Sequence, residues 1–258
     1  MKVVCVGDNC IDYYTKTDQA FPGGNPVNVA VYCQRLGVQS SYIGVVGNDT
    51  FGKVLLESVA SKGVDISHVR VMDGNTAVTQ VEIIGNDRVF GEYDEGVLAD
   101  FRVTSEDIEF IHTFEVMVSS LWSKVEYDLE KIDIPIAFDF ADKWDSKMWE
   151  LVLPHIQYAF YSDDVHEIED IKEYMIRKWY DGLEVLVCTR GDKGSVAYDG
   201  HTFFKQGIIE CSVVDTMGAG DSYIAGFLVE YFGSKDVKSA MVAGAKNSAI
   251  TIGYQGAW

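Results

Sequence analysis

Along most of this 258-residue chain, short apolar runs that end in small or polar residues alternate with longer stretches of helical periodicity. The first run, Val3 to Val6, stops at Gly7-Asp8 and predicts a buried strand. After Gly23-Gly24-Asn25, the stretch 26–37 has Pro26 near a helix start and Gly37 at its end. Val27, Ala30 and Val31 give that helix its apolar face. A strand over 40–47 and a helix over 50–63 follow. Beyond Ser105 the same order returns. A helix is predicted near 105–113, with strands at 115–120, 134–140, 158–162 and 183–189. A polar helical stretch precedes the second of these strands, and an amphipathic helix over 166–180 precedes the last. A hairpin over 194–206 turns at Asp199-Gly200. Two helices, near 219–233 and 235–252, close the series, with Met241, Ala245, Ala249 and Ile252 on one face of the second. Alternating strands and helices predict an α/β fold, a mainly parallel sheet covered on both sides. In such sheets ligands bind at the carboxyl ends of strands. Gly7-Asp8, Asp139, Ser162, Thr189 and Asp215 gather there.

Residues 67–97 break the pattern. In TAVTQVEII, Thr79, Val81 and Ile83 oppose Gln80 and Glu82, and a Gly-Asn-Asp turn follows. Period two with one wet face predicts a small flap of antiparallel strands.

Hydrophobic residues make up 47% of the chain, enough for one full core, and no linker or internal repeat divides it. A single domain over 1–258 is expected. The net charge of -19 disfavours nucleic acid as a partner, because a phosphate-backbone binder needs clustered Lys and Arg. It leaves room for a cationic small substrate. The 5 cysteines form no CxxC and are odd in number, so neither a disulfide framework nor a zinc knuckle is indicated. Cys5, Cys33 and Cys188 lie in apolar runs and are expected in the core. MKVVCVGDNC is too short and polar for a signal peptide, and no run is long enough to span a membrane. A cytoplasmic protein is expected.

Most familiar chemistries find no support. GNDTFGKV at 47–54 has the spacing of a phosphate-binding P-loop, but Val54 stands where a Ser or Thr must hold Mg²⁺. The first strand ends in GDNC rather than a dinucleotide-binding glycine fingerprint. The 5 histidines show no metal-ligand or triad spacing. DTMGAGDS at 215–222 is different. Gly218, Ala219 and Gly220 allow an anion to approach the N–H groups of a helix's first turn, where the dipole is favourable. Asp221 stands in the same turn, placed to accept a proton from a hydroxyl, a role worth about 10²–10⁴-fold in rate. An anion hole beside a base suits phosphoryl transfer to an alcohol. Spacing alone leaves open whether Asp221 is such a base or only a favourable first-turn charge.

Two segments, GGNPVNVAVYCQRLGVQSSYIGVVGNDTFG (23–52) and DTMGAGDSYIAGF (215–227), resemble the signatures of the ribokinase-like (PfkB) carbohydrate kinases. The resemblance implies a three-layer α/β/α fold with a β-strand lid, here near 10–22 and 67–100. It implies Asp221 as the base and Gly218, Ala219 and Gly220 as the anion hole. Asp12, Gly23, Gly24 and Asn28 match sugar-binding positions, and Asp8, Asn9, Asn25, Arg88 and Glu92 complete the expected substrate set. TRGDKGS matches the nucleotide loop, through Thr189, Gly191 and Gly194. ATP and Mg²⁺ are the implied cofactors, with a monovalent cation such as K⁺ at Asp215 and Thr216. A homodimer through the lid is a further expectation. One motif departs from the family: where many members have Asn-x-x-Glu for Mg²⁺, this chain has Ser162 and Val165, with Asp163, Asp164 or Glu167 to compensate.

GDNCID, NDRVFGEYDEGVLADF, AFDFADKWDS and YQGAW are similar to members of the family that phosphorylate fructosamines, fructose-modified lysine in particular, on the 6-hydroxyl. The acids of the flap, Asp87, Glu92, Asp94 and Glu95 against Arg88, suit a substrate that carries ammonium groups. They equally suit a solvated edge. A kinase for fructose, ribose or a nucleoside, and a non-catalytic sugar- or nucleotide-binding protein, are the alternatives.

Overall fold

The computed structural model describes residues 1–84 and 87–258, and the side chains of all of these except 83, 84 and 87–90. Among the described residues, one sheet of nine strands runs through the molecule. Its middle is β1 (Lys2–Val6), with β4 (Gln39–Gly47) and β5 (Asp65–Met72) on one side. On the other side come β8 (Val116–Ser120), β9 (Ile136–Asp139), β10 (Tyr158–Ser162) and β11 (Val185–Thr189). These seven pair in parallel. β12 (Ser195–Tyr198) and β13 (Phe203–Gln206) close the edge as an antiparallel hairpin whose loop begins at Asp199-Gly200.

Period two is visible in the packing. Val3 and Cys5 face one hydrophobic cluster while Val4 and Val6 face another; Val185 and Val187 alternate likewise with Leu186 and Cys188. The first cluster is covered by α1 (Asn25–Arg35), α2 (Thr50–Ser61), α6 (Ala219–Ser234) and α7 (Val237–Thr251). The second is covered by α3 (Ser105–Ile111), α4 (Met148–Val152) and α5 (Ile168–Lys178). The result is the three-layer α/β/α arrangement, with Cys5, Cys33 and Cys188 buried as expected.

A second sheet of four strands, in the order β3 (Gln19–Gly23), β2 (Cys10–Tyr14), β6 (Val78–Ile84), β7 (Asp87–Asp94), forms the lid. The flap expected to begin at 67 is thereby corrected. Residues 67–72 belong to β5, paired in parallel with β4 at the edge of the large sheet. Their half-buried, polar-rich pattern is that of an edge strand, which sequence periodicity does not separate from a flap strand. β6 pairs antiparallel with β7, as its alternation predicts, but parallel with β2. The polar helical stretch expected before β9 is only a 3-10 turn over Leu129–Lys131.

Candidate active site

The first turn of α6 lies where the sheet's carboxyl ends meet the lid. Gly218 caps the helix at φ 71°, left-handed backbone in which a Cβ would run into the Tyr32 hydroxyl. Asp215 braces the loop before it, accepting from Met217 N at 2.7 Å and from Gly256 N at 2.9 Å. Each of its carboxylate oxygens thus accepts one backbone N–H, which fixes the carboxylate beside Thr216. Ala219 and Gly220 line a cavity of about 910 Å³, and a Cβ on Gly220 would meet nothing within 4 Å. Thr189, Gly191 and Gly194 line the same cavity, as does Thr216. The expected nucleotide loop and the expected anion hole thus share one space. Its apolar wall, which includes Ile208, Val213, Ala245, Ala249 and Ile252, was not foreseen. The stripe of small residues on α7 was its only trace in the sequence.

Asp221 stands at the centre of a network of carboxylates and amides. Asn28 Nδ2 donates to its Oδ2 at 2.7 Å, and Asn25 Nδ2 donates to its Oδ1 at 2.7 Å. The same Asn25 nitrogen donates to Asp139 Oδ2 at 2.7 Å, and the Asn25 backbone N–H donates to Asp8 Oδ2 at 3.1 Å. Asp8 is buried, and its other oxygen accepts from Ser120 Oγ at 2.6 Å and Ser123 Oγ at 2.8 Å. Gly24 makes the approach possible. At φ 114° it passes so close that a Cβ would lie 2.5 Å from Asn9 Cα. Pro26 then starts α1, whose first turn brings Asn25 and Asn28 to one face.

Electrostatics follow from this crowding. Burial pushes the carboxyls of Asp8 and Asp221 up, most strongly for Asp221. The hydrogen bonds from Asn28 and Asn25 pull Asp221 down, while the charges of Asp139 and Asp8 push it further up. Burial raises Asp139 to about 6. An aspartate that accepts at both oxygens and holds a proton more tightly than usual is a stronger base than a solvated one.

The remaining sugar-side residues sort differently. Asp12 on β2 is paired with Phe21 of β3, its carboxylate lies diagonally beside Gly23, where a Cβ would come within 3.0 Å of Asp12 Oδ2, and Asp12 Oδ1 accepts from Cys10 Sγ at 3.7 Å. Asn9 is buried and donates to Tyr42 Oη and Val45 O, which makes it scaffolding for the strand ends. Glu92 is exposed on β7 and makes no contact with the network among the described residues. Its neighbour Tyr93 is about half exposed (46%), and partial burial and the nearby acidic groups raise its hydroxyl. The side chain of Arg88 lies outside the described residues. Ser120 and Ser123 are the site residues that sequence reasoning missed; Trp258, at the end of YQGAW, donates to Asn28 Oδ1 at 2.7 Å. For the two serines, hydroxyls three residues apart just past a strand were the available signal.

The near P-loop and two residues of AFDFADKWDS lie outside the site. In the near P-loop, Asp49 caps α2 through Gly52 N at 2.8 Å, and Lys53 is exposed beside Glu57. It is a helix start, not a phosphate loop. Trp144 packs edge-on against His166 and Tyr174. Lys143 pairs with Asp142 at 2.7 Å near the surface.

The whole chain, residues 1–258, matches the family described as pfkB family carbohydrate kinase. The chain belongs to that family. Within it, the chain is 43% identical over 256 residues to Fructoselysine 6-kinase of Escherichia coli (strain K12), covering 98% of each chain. It is 34% identical over 265 residues to Fructosamine kinase FrlD of Bacillus subtilis (strain 168), covering 100% of this chain and 93% of that one. Its fold is that of Arabidopsis thaliana ribokinase complexed with ribose and ATP, with a TM-score of 0.86 at 20% identity, over 99% of this chain and 93% of that one. A sugar kinase of Pyrococcus horikoshii in complex with ATP superposes with a TM-score of 0.80 at 25% identity, over 99% and 94% of the two chains. The protein is thus a carbohydrate kinase of the pfkB family. Among its described residues no helix is long and apolar enough to cross a membrane.

Proposed function

We propose that this pfkB kinase transfers the γ-phosphate of ATP to the 6-hydroxyl of a fructosamine, with fructoselysine as the preferred acceptor. The observation that carries the reading is Asp221, held at both oxygens by Asn25 and Asn28 directly after Ala219 and Gly220, which line the large cavity. The relatives named for fructosamine and fructoselysine kinases direct the choice of acceptor. Three acidic groups, Asp8, Asp139 and Asp221, meet there, and no Lys or Arg is bonded to them among the described residues. Such a site favours an acceptor that brings an ammonium over a neutral hexose.

In this mechanism the apolar wall of the cavity takes the adenine and the glycine-rich turn at 191–194 takes the phosphates. The sugar lies between the lid and the carboxylate–amide network. Asp221 receives the 6-hydroxyl proton as that oxygen attacks the γ-phosphorus, and the β–γ bridging bond breaks to release ADP. The first-turn N–H groups of α6 stabilise charge on the transferring group. Residues fit Mg²⁺ on the nucleotide side. Asp163 is spent within its own loop, accepting from the backbone N–H groups of Val165 and His166 and pairing with the His166 ring. Glu167 does not line the cavity, whereas Ser162 and exposed Asp164 do. Asp164 with Ser162 would orient waters of the ion, whose role when bound is to neutralise phosphate charge.

The test is ADP release with a panel of acceptors. Fructoselysine should exceed fructose, ribose and adenosine in kcat/KM. Asp221→Asn should lower kcat by about 10²–10⁴-fold with the fold intact. Free fructose or adenosine as the better acceptor would refute the acceptor assignment; near-normal turnover of Asp221→Asn would refute the mechanism.

A further inference from the structure

Trp258 lies one step behind the base. Its indole N–H donates to Asn28 Oδ1 at 2.7 Å, and Asn28 Nδ2 donates to Asp221 Oδ2 at 2.7 Å. A carboxamide has an acceptor end and a donor end. Reversing it here would set NH₂ against the indole N–H and C=O against the carboxylate, so both contacts would become repulsive. The indole therefore decides which way the Asn28 amide faces.

The residues before Trp258 hold it in place. Ala257 O accepts from the hydroxyls of Tyr32 and Tyr254, and Gly256 N donates to Asp215 Oδ2. The ring packs partly buried against the core cluster that includes α1 and α6, with Lys62 over its face at 5.8 Å. Residues 256–258 thus brace the reaction centre twice: through Asp215 at the loop before α6, and through Asn28 at the base.

We propose that Trp258 is a positioning residue for phosphoryl transfer, acting on Asp221 through Asn28 by keeping the Asn28 amide turned toward the carboxylate. The proposal rests on Asp221 being the base. The groups that face Asp221 are Asn25, Asn28 and Tyr32 from α1, Asp139 from the end of β9 and Asp8 from the end of β1. The two aspartates raise its proton affinity and the two amides lower it. Losing the Asn28 donor leaves Asp221 protonated to higher pH, and the acid limb of kcat/KM moves up with it.

Trp258→Phe keeps a ring in the packing and removes the N–H. With fructoselysine and ATP, kcat at neutral pH should fall roughly tenfold, as for loss of one hydrogen bond to a charged group. KM for ATP should stay within about twofold, and the acid limb should shift upward by about half to one pH unit. In an Asn28→Ala background the same substitution should have no further effect, because the two residues act as one chain. Replacing Trp258 by benzothienylalanine, the same shape with sulfur for N–H, repeats the measurement if thermal melting shows the Phe variant to be unfolded. An unmoved acid limb, or an equal loss of kcat in the Asn28→Ala background, overturns the proposal. Asp221→Asn in parallel separates the two claims. Near-normal turnover there removes the base itself. Loss there with wild-type behaviour of Trp258→Phe removes only the role of the tryptophan.

Discussion

Asp139→Asn isolates the electrostatic part of the proposed mechanism. Asp139 and Asp221 accept from the same Asn25 nitrogen at 2.7 Å each, which sets their charges about 5 Å apart. Two like charges at that distance repel by roughly 3 kcal/mol at an effective dielectric constant of 20, and by under about 1 kcal/mol in water. Divided by about 1.4 kcal/mol per pH unit, the Asp139 charge raises the proton affinity of Asp221 by about one to two units. Asp139 itself titrates near 6, so its charge is present across neutral pH. The sign follows: without that charge, Asp221 loses its proton at lower pH. In a profile of kcat/KM against pH, the acid limb of Asp139→Asn should move down by about one to two units. A stability cost accompanies it. Asp139 accepts from both Asn25 Nδ2 and Ala141 N, and an amide can accept at only one end, leaving one donor unmet at about 1–3 kcal/mol. Thermal melting and the pH profile are read on the same preparation. An acid limb that stays in place, or moves up, in a folded variant would show that Asp139 does not bias the base and that the network has been misjudged.

Gly24→Ala should destabilise the fold by roughly 3 kcal/mol, since a Cβ at φ 114° is strained and would strike the Asn9 backbone; thermal denaturation checks it, and an unchanged Tm refutes the close-approach argument. Lys53→Ala should leave both turnover and Tm unchanged, because Lys53 is an exposed helix residue beside Glu57; loss of activity would revive the P-loop reading. Cys211 is exposed and lines the large cavity, whereas burial raises the thiols of Cys5, Cys33 and Cys188. Iodoacetamide should therefore label Cys211 first and a non-hydrolysable ATP analogue should slow the labelling, as peptide mapping would show.

Much of the framework is legible in the order of residues because strand and helix periodicities are local. Val3–Val6, IPIAFD and LEVLVCT declare buried parallel strands by their continuous apolar character, and Gly37 and Pro26 mark the ends of α1. DTMGAGDS announces a helix start made for an anion, since bare backbone and an acid in one turn are properties of four consecutive residues. What the sequence by itself determined is thus the α/β class, the lid's existence and the identity of Asp221 as the residue to examine.

The tertiary structure decided which residues surround it. Residues 67–72 pass to the large sheet because β4 offers them an open edge, a partner that no local pattern reveals. Asn25 meets Asp139 and Asp221 across 114 and 196 residues of sequence, and Trp258 reaches Asn28 across 230. Contacts at such separations are set by where sheet and helices cross, not by spacing along the chain. The same holds for the base strength of Asp221, which depends on burial and on four side chains brought to it by α1, β9 and the end of β1. A carboxylate beside three small residues is written in the sequence; the pair of amides that hold it, the aspartate that charges it and the indole that orients one of those amides come only with the fold.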